Sequence, residues 1–326
     1  MNKSKLLLLS ILLPVLVFGQ KPVPIIFDTD FGPDYDDVGA ITLLHAYADL
    51  DQATILATIA SSRHKNIAAA LNVFNTYFGR PSTPIGVVNA SGVTLGDSQH
   101  WSDSVIARYP HSIKNNQQAE DAVGLYRKLL AAQPDASVTI VTVGFLSNLS
   151  HLLQSSADKY SPLPGKELVQ KKVKQLVCMA GWFPKGKEFN VRIDSSASKK
   201  VFEEWPGKII FSGFEIGVKI RTGLPLIRSL IVNSPVKDVF AICIPMHADS
   251  LGRNSWDQTA VMVAVEGWEK YYALKQGKFI CHADGSNEWV EGTGNHFYLT
   301  EKMPVPQVQD HINKLMMHQP REMGRK

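Results

Sequence analysis

The sequence predicts an α/β protein: a single domain on a mostly parallel (mixed), Rossmann-like sheet with helices on both faces. Three observations predict it. Short apolar runs recur along the chain and are continuous rather than alternating, as strands covered on both faces require. Helical patterns fall between them, and strand–helix–strand units close through right-handed crossovers onto one sheet. No repeat, low-complexity tract or Pro/Gly/Ser linker divides residues 20–326, a length that can bury a sizeable core as one large domain.

The elements follow in order. MNKSKLLLLSILLPVLVFGQ carries two lysines and then an apolar run from Leu6 to Phe18, interrupted by Pro14. That is the charged and apolar layout of a signal peptide, too short for a permanent membrane span. A cut after Gly19 would remove residues 1–19 and leave an exported, periplasmic or secreted protein with no membrane segment. No cysteine follows the apolar run, which argues against a lipoprotein.

Strands are expected at VPIIF (23–27), ATILATIA (53–60), PIGVV (84–88), SVTIVTV (137–143), KQLVCMA (174–180) and KIIFSGF (208–214). Helices are expected at 36–49, 65–79, 118–133, 146–155, 196–205 and 256–274. Residues 89–117 and 181–195 lack periodicity and read as long loops over a sheet edge. The tail ends in a short amphipathic helix.

Composition narrows the function classes. A formal charge of +4 without any Lys/Arg block gives no sign of nucleic acid or an anionic membrane as partner. Cys178, Cys243 and Cys281 show no metal-type spacing, and Cys178 and Cys243 lie in apolar runs, where cysteine is usually a small buried hydrophobe.

The densest chemistry is FDTDFGPDYDD (27–37), where Asp28, Asp30, Asp34, Asp36 and Asp37 fall within ten positions behind an apolar strand. Strand ends followed by helix starts are where such sheets place their sites. Asp36 is the expected N-cap of the following helix. One or two aspartates need no further reason there. Five crowd negative charge, which raises each carboxyl's pKa or demands a cation, and a hard divalent ion such as Ca²⁺ or Mg²⁺ answers that demand. An EF-hand loop fails, because Pro33 and Gly39 stand where Gly and Glu are needed. A phosphatase of the haloacid dehalogenase type, with Asp28 as nucleophile, remains an alternative although Gly32 replaces the expected Thr or Ser.

Here the chain resembles the inosine-uridine-preferring nucleoside hydrolase family. The residues are Asp28-Thr29-Asp30-Phe31-Gly32 followed by Asp36-Asp37, then VTVGFLSNL (141–149), EFNVRID (188–194) and SWDQTAVMVA (255–264), in the family's order. The loop is two residues longer than the shortest family version, Asp34 being among the additions. The resemblance implies the nucleoside hydrolase fold and Ca²⁺-dependent hydrolysis of the N-glycosidic bond of ribonucleosides to free base and ribose. It implies Asp30, Asp37, Asp257 and the Val143 carbonyl as metal ligands, with Asp30 also the general base. Asp36, Glu188 and Asn190 would hold the ribose, with Asp36 part of the catalytic centre, and Asp28 would support the loop from beneath. Homodimers or homotetramers are implied as well.

The departures concern the leaving group. Trp256 stands before Asp257 where many members have His, and in a purine-preferring branch a Trp at that place stacks on the base. Trp101 and Trp182 are candidates for the opposite face. No early Asn follows the second strand; SSRHKN offers Arg63 and His64, with Asn66 as a substitute. His64, His100, His111 and His247 lie in expected loops, and none carries a specific signal. These gaps leave open a non-catalytic sugar- or nucleoside-binding protein.

Overall fold

Val23–Thr29 is the strand on which the architecture is laid out. In the computed structural model, which describes residues 21–88 and 91–321, it pairs in parallel with Ala53–Ala60 on one side and Val138–Thr142 on the other. The leader expected at residues 1–19 lies outside the described residues. Val173–Met179 and Ile209–Ser212 extend the parallel sheet one way, and Ile85–Val87 extends it the other. His296–Glu301 adds one more parallel strand, then pairs antiparallel with Tyr272–Cys281. Asn287–Glu291 and the two-residue Lys185–Gly186 follow at that edge, and Glu120–Asp121 closes the other, giving an eleven-stranded mixed sheet.

The period of two along a strand splits the core. Ile25 and Phe27 face one layer, built on helices Asp36–Asp49, Ile67–Tyr77, Pro235–Met246, Trp256–Glu266 and Val305–Met316. Ile26 faces the other, built on Ala122–Ala132, Ser147–Gln154 and Ser195–Glu204. Helices therefore cover both faces, and the continuous apolar strands are explained. All six expected strands are present within two residues of their expected ends.

Three expectations change. The helix begun at Trp256 stops at Glu266 instead of running to 274; Gly267 has φ +83, and Tyr272–Cys281 is a strand. That strand buries only part of its length, so its mixed pattern reads as helix in sequence although its partners make it a hairpin edge. The segments 89–117 and 181–195, expected as long loops, contain the helices Trp101–Arg108 and Phe189–Ile193. Helices without an expectation include Gly165–Lys172 and Pro235–Met246, the latter capped by Ser234, whose hydroxyl accepts from the Lys237 N–H. No helix among the described residues is long and apolar enough to cross a membrane.

The second core layer closes on an aromatic group. Phe211 lies 5.1 Å from Phe202, 4.8 Å from Phe279 and 5.5 Å from Phe183, ring centre to ring centre. Phe211 is fully buried, so Phe211→Ala leaves a void that rigid neighbours cannot fill. It is expected to cost about 3–5 kcal/mol in urea unfolding.

Candidate active site

The site forms where the central parallel strands end. The chain leaves Val23–Thr29, passes through residues 30–35 and enters the helix Asp36–Asp49. The neighbouring strand Val138–Thr142 ends beside it at Val143 and Gly144. A Cβ on Gly144 would sit 2.3 Å from the Asp30 backbone nitrogen and 2.9 Å from the Asp30 Cβ. Only glycine lets these two strand ends approach so closely. The helix begins one residue earlier than a cap at Asp36 would require: Tyr35 is the N-cap and Asp36 and Asp37 fill the first turn. The helix dipole favours carboxylates there.

Asp36 fastens two helix starts and one arginine. Its Oδ1 accepts from Arg253 Nε at 3.1 Å and Nη2 at 2.9 Å. Its Oδ2 accepts the backbone N–H groups of Trp256 at 3.1 Å and Asp257 at 3.3 Å. A carboxylate offers about four acceptor positions, and these four donors take them all. Asp36, expected to hold a ribose hydroxyl, lines the cavity and also brackets these elements. Arg253 itself had no expectation. Its Nη2 also meets Asp34 Oδ2 at 2.5 Å, and its guanidinium lies 4.9 Å from the Tyr35 ring and 5.2 Å from the Trp256 ring. Asp34, left without a role in the sequence, thus pairs with Arg253, while the Trp101 indole donates to the Asp34 carbonyl.

The other carboxylates lack such partners. Asp30, Asp37 and Asp257 are buried and have no cationic side chain beside them among the described residues. Burial, then the charges of Asp37 and Asp34, pushes Asp30 well above the usual carboxylate range. Burial, then Asp36, Asp37 and further neighbours, does the same to Asp257. Asp37 is raised by burial and by Asp36; its Oδ1 accepts from the Thr29 hydroxyl, and its Oδ2 has no partner at all. Asp28 faces the opposite layer, where Tyr126 and Asn148 donate to its Oδ2 at 2.8 and 3.0 Å, and burial raises it to about 7. It is fully buried and does not line the cavity, so it is not placed to serve as a phosphatase nucleophile.

A cavity of about 220 Å³ opens over this cluster. It is on the scale of one small ligand, just under the ~300–1,000 Å³ of drug-sized sites. Asp30, Asp36, Asp257, Val143, Glu188, Asn190 and Trp256 all line it; Asp37 lies behind them. Glu188 caps the short helix Phe189–Ile193, accepting N–H groups from Asn190, Val191 and Gly181 at 2.8–3.3 Å, and burial raises it to about 7. Asn190 donates to the Val143 carbonyl at 3.0 Å, leaving its own Oδ1 without a donor. Trp256 stacks beside Phe214 at 5.4 Å and donates its indole N–H to the Phe214 carbonyl; Phe214 in turn meets Trp182 at 4.4 Å.

Several candidates fall away from the cavity. Trp101 is wholly buried against Phe31 and Phe74 as part of the core. Asn66 donates to Ser102 and Asp103, not toward the cavity. His64, His100, His111 and His247 do not line it either. His64 stands over Asp97, His100 over Asp103, His111 against the Tyr109 carbonyl, and His247 against Gln99.

The family model of inosine-uridine preferring nucleoside hydrolases matches residues 25–304, which include every residue of this cluster. The chain belongs to that family. An inosine-uridine preferring nucleoside hydrolase of Crithidia fasciculata is 25% identical over 193 residues, covering 56% of this chain and 58% of its own length. A pyrimidine-specific ribonucleoside hydrolase of a Shewanella strain is 27% identical over 191 residues, 55% of each chain. The match thus spans little more than half the length of these relatives. A purine-preferring ribonucleoside hydrolase from Gardnerella vaginalis superposes with a TM-score of 0.72 at 15% identity, over 90% of this chain and 99% of that one, a likeness of fold.

The residues fit a hard divalent cation. An orphaned buried carboxylate oxygen on Asp37 and three buried carboxylates without a cationic side chain are what such an ion would satisfy. Oxygens of Asp34, Asp36 and Asp257 also lie within 4.8 Å of one another, a grouping that shares only Asp257 with the expected ligands. The sign of the pH effect follows. Asp28, Asp30, Asp37, Glu188 and Asp257 all have folded-state pKa values raised above their unfolded ones, so the folded chain binds more protons. These five groups contribute stability that is present below the unfolded carboxylate pKa of about 4 and is lost as pH rises through their folded values, about 7 for Asp28, Asp37 and Glu188, while His45 and His296, lowered by burial to about 3 and about 4, act in the opposite sense below the unfolded imidazole pKa of about 6.5. Thermal unfolding in chelator should show a falling Tm from about pH 6.5 to about pH 8, above the range in which the histidines titrate, and millimolar Ca²⁺ should restore Tm most at the upper end.

Proposed function

We propose that this protein hydrolyses the N-glycosidic bond of ribonucleosides, releasing free base and ribose. The observation that carries it is the cluster of buried carboxylates lacking cationic side-chain partners, at the floor of a nucleoside-scale cavity, in a chain of this family.

The chain's own residues divide the work. Asp30 lines the cavity with a raised proton affinity, which suits a general base taking a proton from the water that attacks C1′. As the base departs the sugar gains positive charge, and Asp30 and Asp257 present fixed negative charge to it. Glu188 has three of its acceptor positions filled by backbone N–H groups and one left for a sugar hydroxyl. Asn190 has its amide nitrogen committed to Val143, so its Oδ1 is the atom that faces a hydroxyl. Phe214 and Trp256 form an aromatic wall for the base, wide enough in character for a purine.

Asp30, Asp37, Asp257 and the Val143 carbonyl are the residues that would hold a Ca²⁺, with Asp34 an added donor close by. Such an ion supplies charge neutralisation and Lewis acidity toward oxygen. Export belongs to the same reading and is supported by the leader-like residues 1–19.

The test is incubation with a panel of purine and pyrimidine ribonucleosides and their 2′-deoxy counterparts, following free base and reducing sugar with and without chelator. Release from ribonucleosides, lost in chelator and lowered about 10²–10⁴-fold in Asp30→Asn, is the expected outcome. A wild-type chain loaded with Ca²⁺ that frees no base from any of them overturns the proposal.

A further inference from the structure

Cleaving the C1′–N bond sends its electron pair onto the base nitrogen. A base leaving that way carries negative charge unless a donor meets it, so the cavity needs a cation or an acid on its base side. The lining residues supply few. The carboxylates repel the departing charge, and Glu188 spends both oxygens accepting backbone N–H groups, so it is not set up to donate. The Asn190 amide is committed to Val143, and the Trp256 indole N–H to Phe214. No histidine lines the cavity among the described residues.

One cation does: Arg253. It is 92% buried, with relative exposure of 8%. Asp36 and Asp34 hold its Nε and Nη2. Its Nη1 makes no hydrogen bond, the Asp249 carboxylate standing 3.9 Å off, beyond hydrogen-bond length. Tyr35, whose hydroxyl donates to Asp249 at 2.6 Å, lies against the guanidinium, so the arginine is fixed in place before any ligand arrives. It also lies 5.2 Å from the ring of Trp256, part of the aromatic wall proposed for the base.

We propose that Arg253 Nη1 is the hydrogen-bond donor that receives the negative charge of the departing base. This rests on the nucleoside hydrolase reading. The C1′–N bond breaks with its pair on the base; the water oxygen bonds to C1′ and one water proton passes to Asp30. The guanidinium stays protonated and holds the base anion by N–H contact. The base then takes a proton from solvent, and Asp30 returns its own. A preorganised donor aimed at developing charge is worth about 10²–10³ in rate.

The experiment compares two substrates on the Ca²⁺-loaded protein: whichever of inosine and uridine the wild type cleaves faster, and 4-nitrophenyl β-ribofuranoside, whose acidic phenol leaves without help. Arg253→Gln loosens Asp36 and should slow both. The proposal expects the nucleoside to lose about 10²-fold more in kcat/KM than the nitrophenyl riboside. Arg253→Lys, which keeps a charge but not the fork, should show the same bias at about 10-fold and covers the case in which the glutamine variant fails to fold. Equal loss on both substrates overturns the role given to Arg253 while leaving the hydrolase reading intact. A wild type that cleaves neither overturns both.

Discussion

The structure turns on one carboxylate. Asp36 stands at the start of one helix and accepts the first two backbone N–H groups of another, so two positive helix ends share one negative charge. The same group holds Arg253 through two hydrogen bonds. Helices Asp36–Asp49 and Trp256–Glu266 belong to different ends of the sequence, and this contact brings Asp37 and Asp257 to one place. Without it the strand ends would still align, but the cluster would lack one wall.

That bracket concentrates an electrostatic load that the fold alone does not relieve. Burial removes water from the carboxylates, and each neighbour's charge adds to the cost. One guanidinium pulls against the burial that raises Asp34 and Asp36 without cancelling it, and Asp30, Asp37 and Asp257 are raised with no cationic side chain beside them. A site of this kind trades stability for readiness to take up cations and protons, which suits hydrolysis better than structural support. The close passage at Gly144 belongs to the same arrangement, because a side chain there would collide with the backbone and Cβ of Asp30.

Much of this was legible in the sequence. The parallel strands announced themselves because both faces are buried, and the aspartates stood out because five of them follow such a strand. Glu188, Asn190, Val143, Trp256 and Asp257 reached the cavity because short-range motifs fix them to strand ends and helix starts. The hairpin strand at Tyr272 was missed because its burial comes from partners distant in sequence, which no local pattern encodes. Trp101 looked like a loop aromatic for the same reason, although it is core. Arg253 was invisible: a single arginine four residues before Asp257 carries no periodic or motif signal. The available hint was the surplus of aspartates, since a buried acidic surplus calls for a cation from elsewhere in the chain.

Asp34 and Trp256 then become parts of one arrangement rather than two separate departures. A buried guanidinium is tolerated where neighbouring carboxylates offset its charge. Asp34 is one of them, from within the lengthened loop, and the Trp101 indole fixes that loop by its carbonyl. With Asp34 in place, Arg253 can sit between Tyr35 and Trp256, where a tryptophan offers a polarisable ring to a cation and an imidazole would add a competing titratable group. Asp34 in that loop is therefore part of what holds a permanent cation beside the tryptophan that precedes Asp257. Removing the loop's aspartate while keeping the arginine would leave Asp36 as the one carboxylate hydrogen-bonded to a buried guanidinium, which is why Asp34 and Arg253 are best understood as a pair.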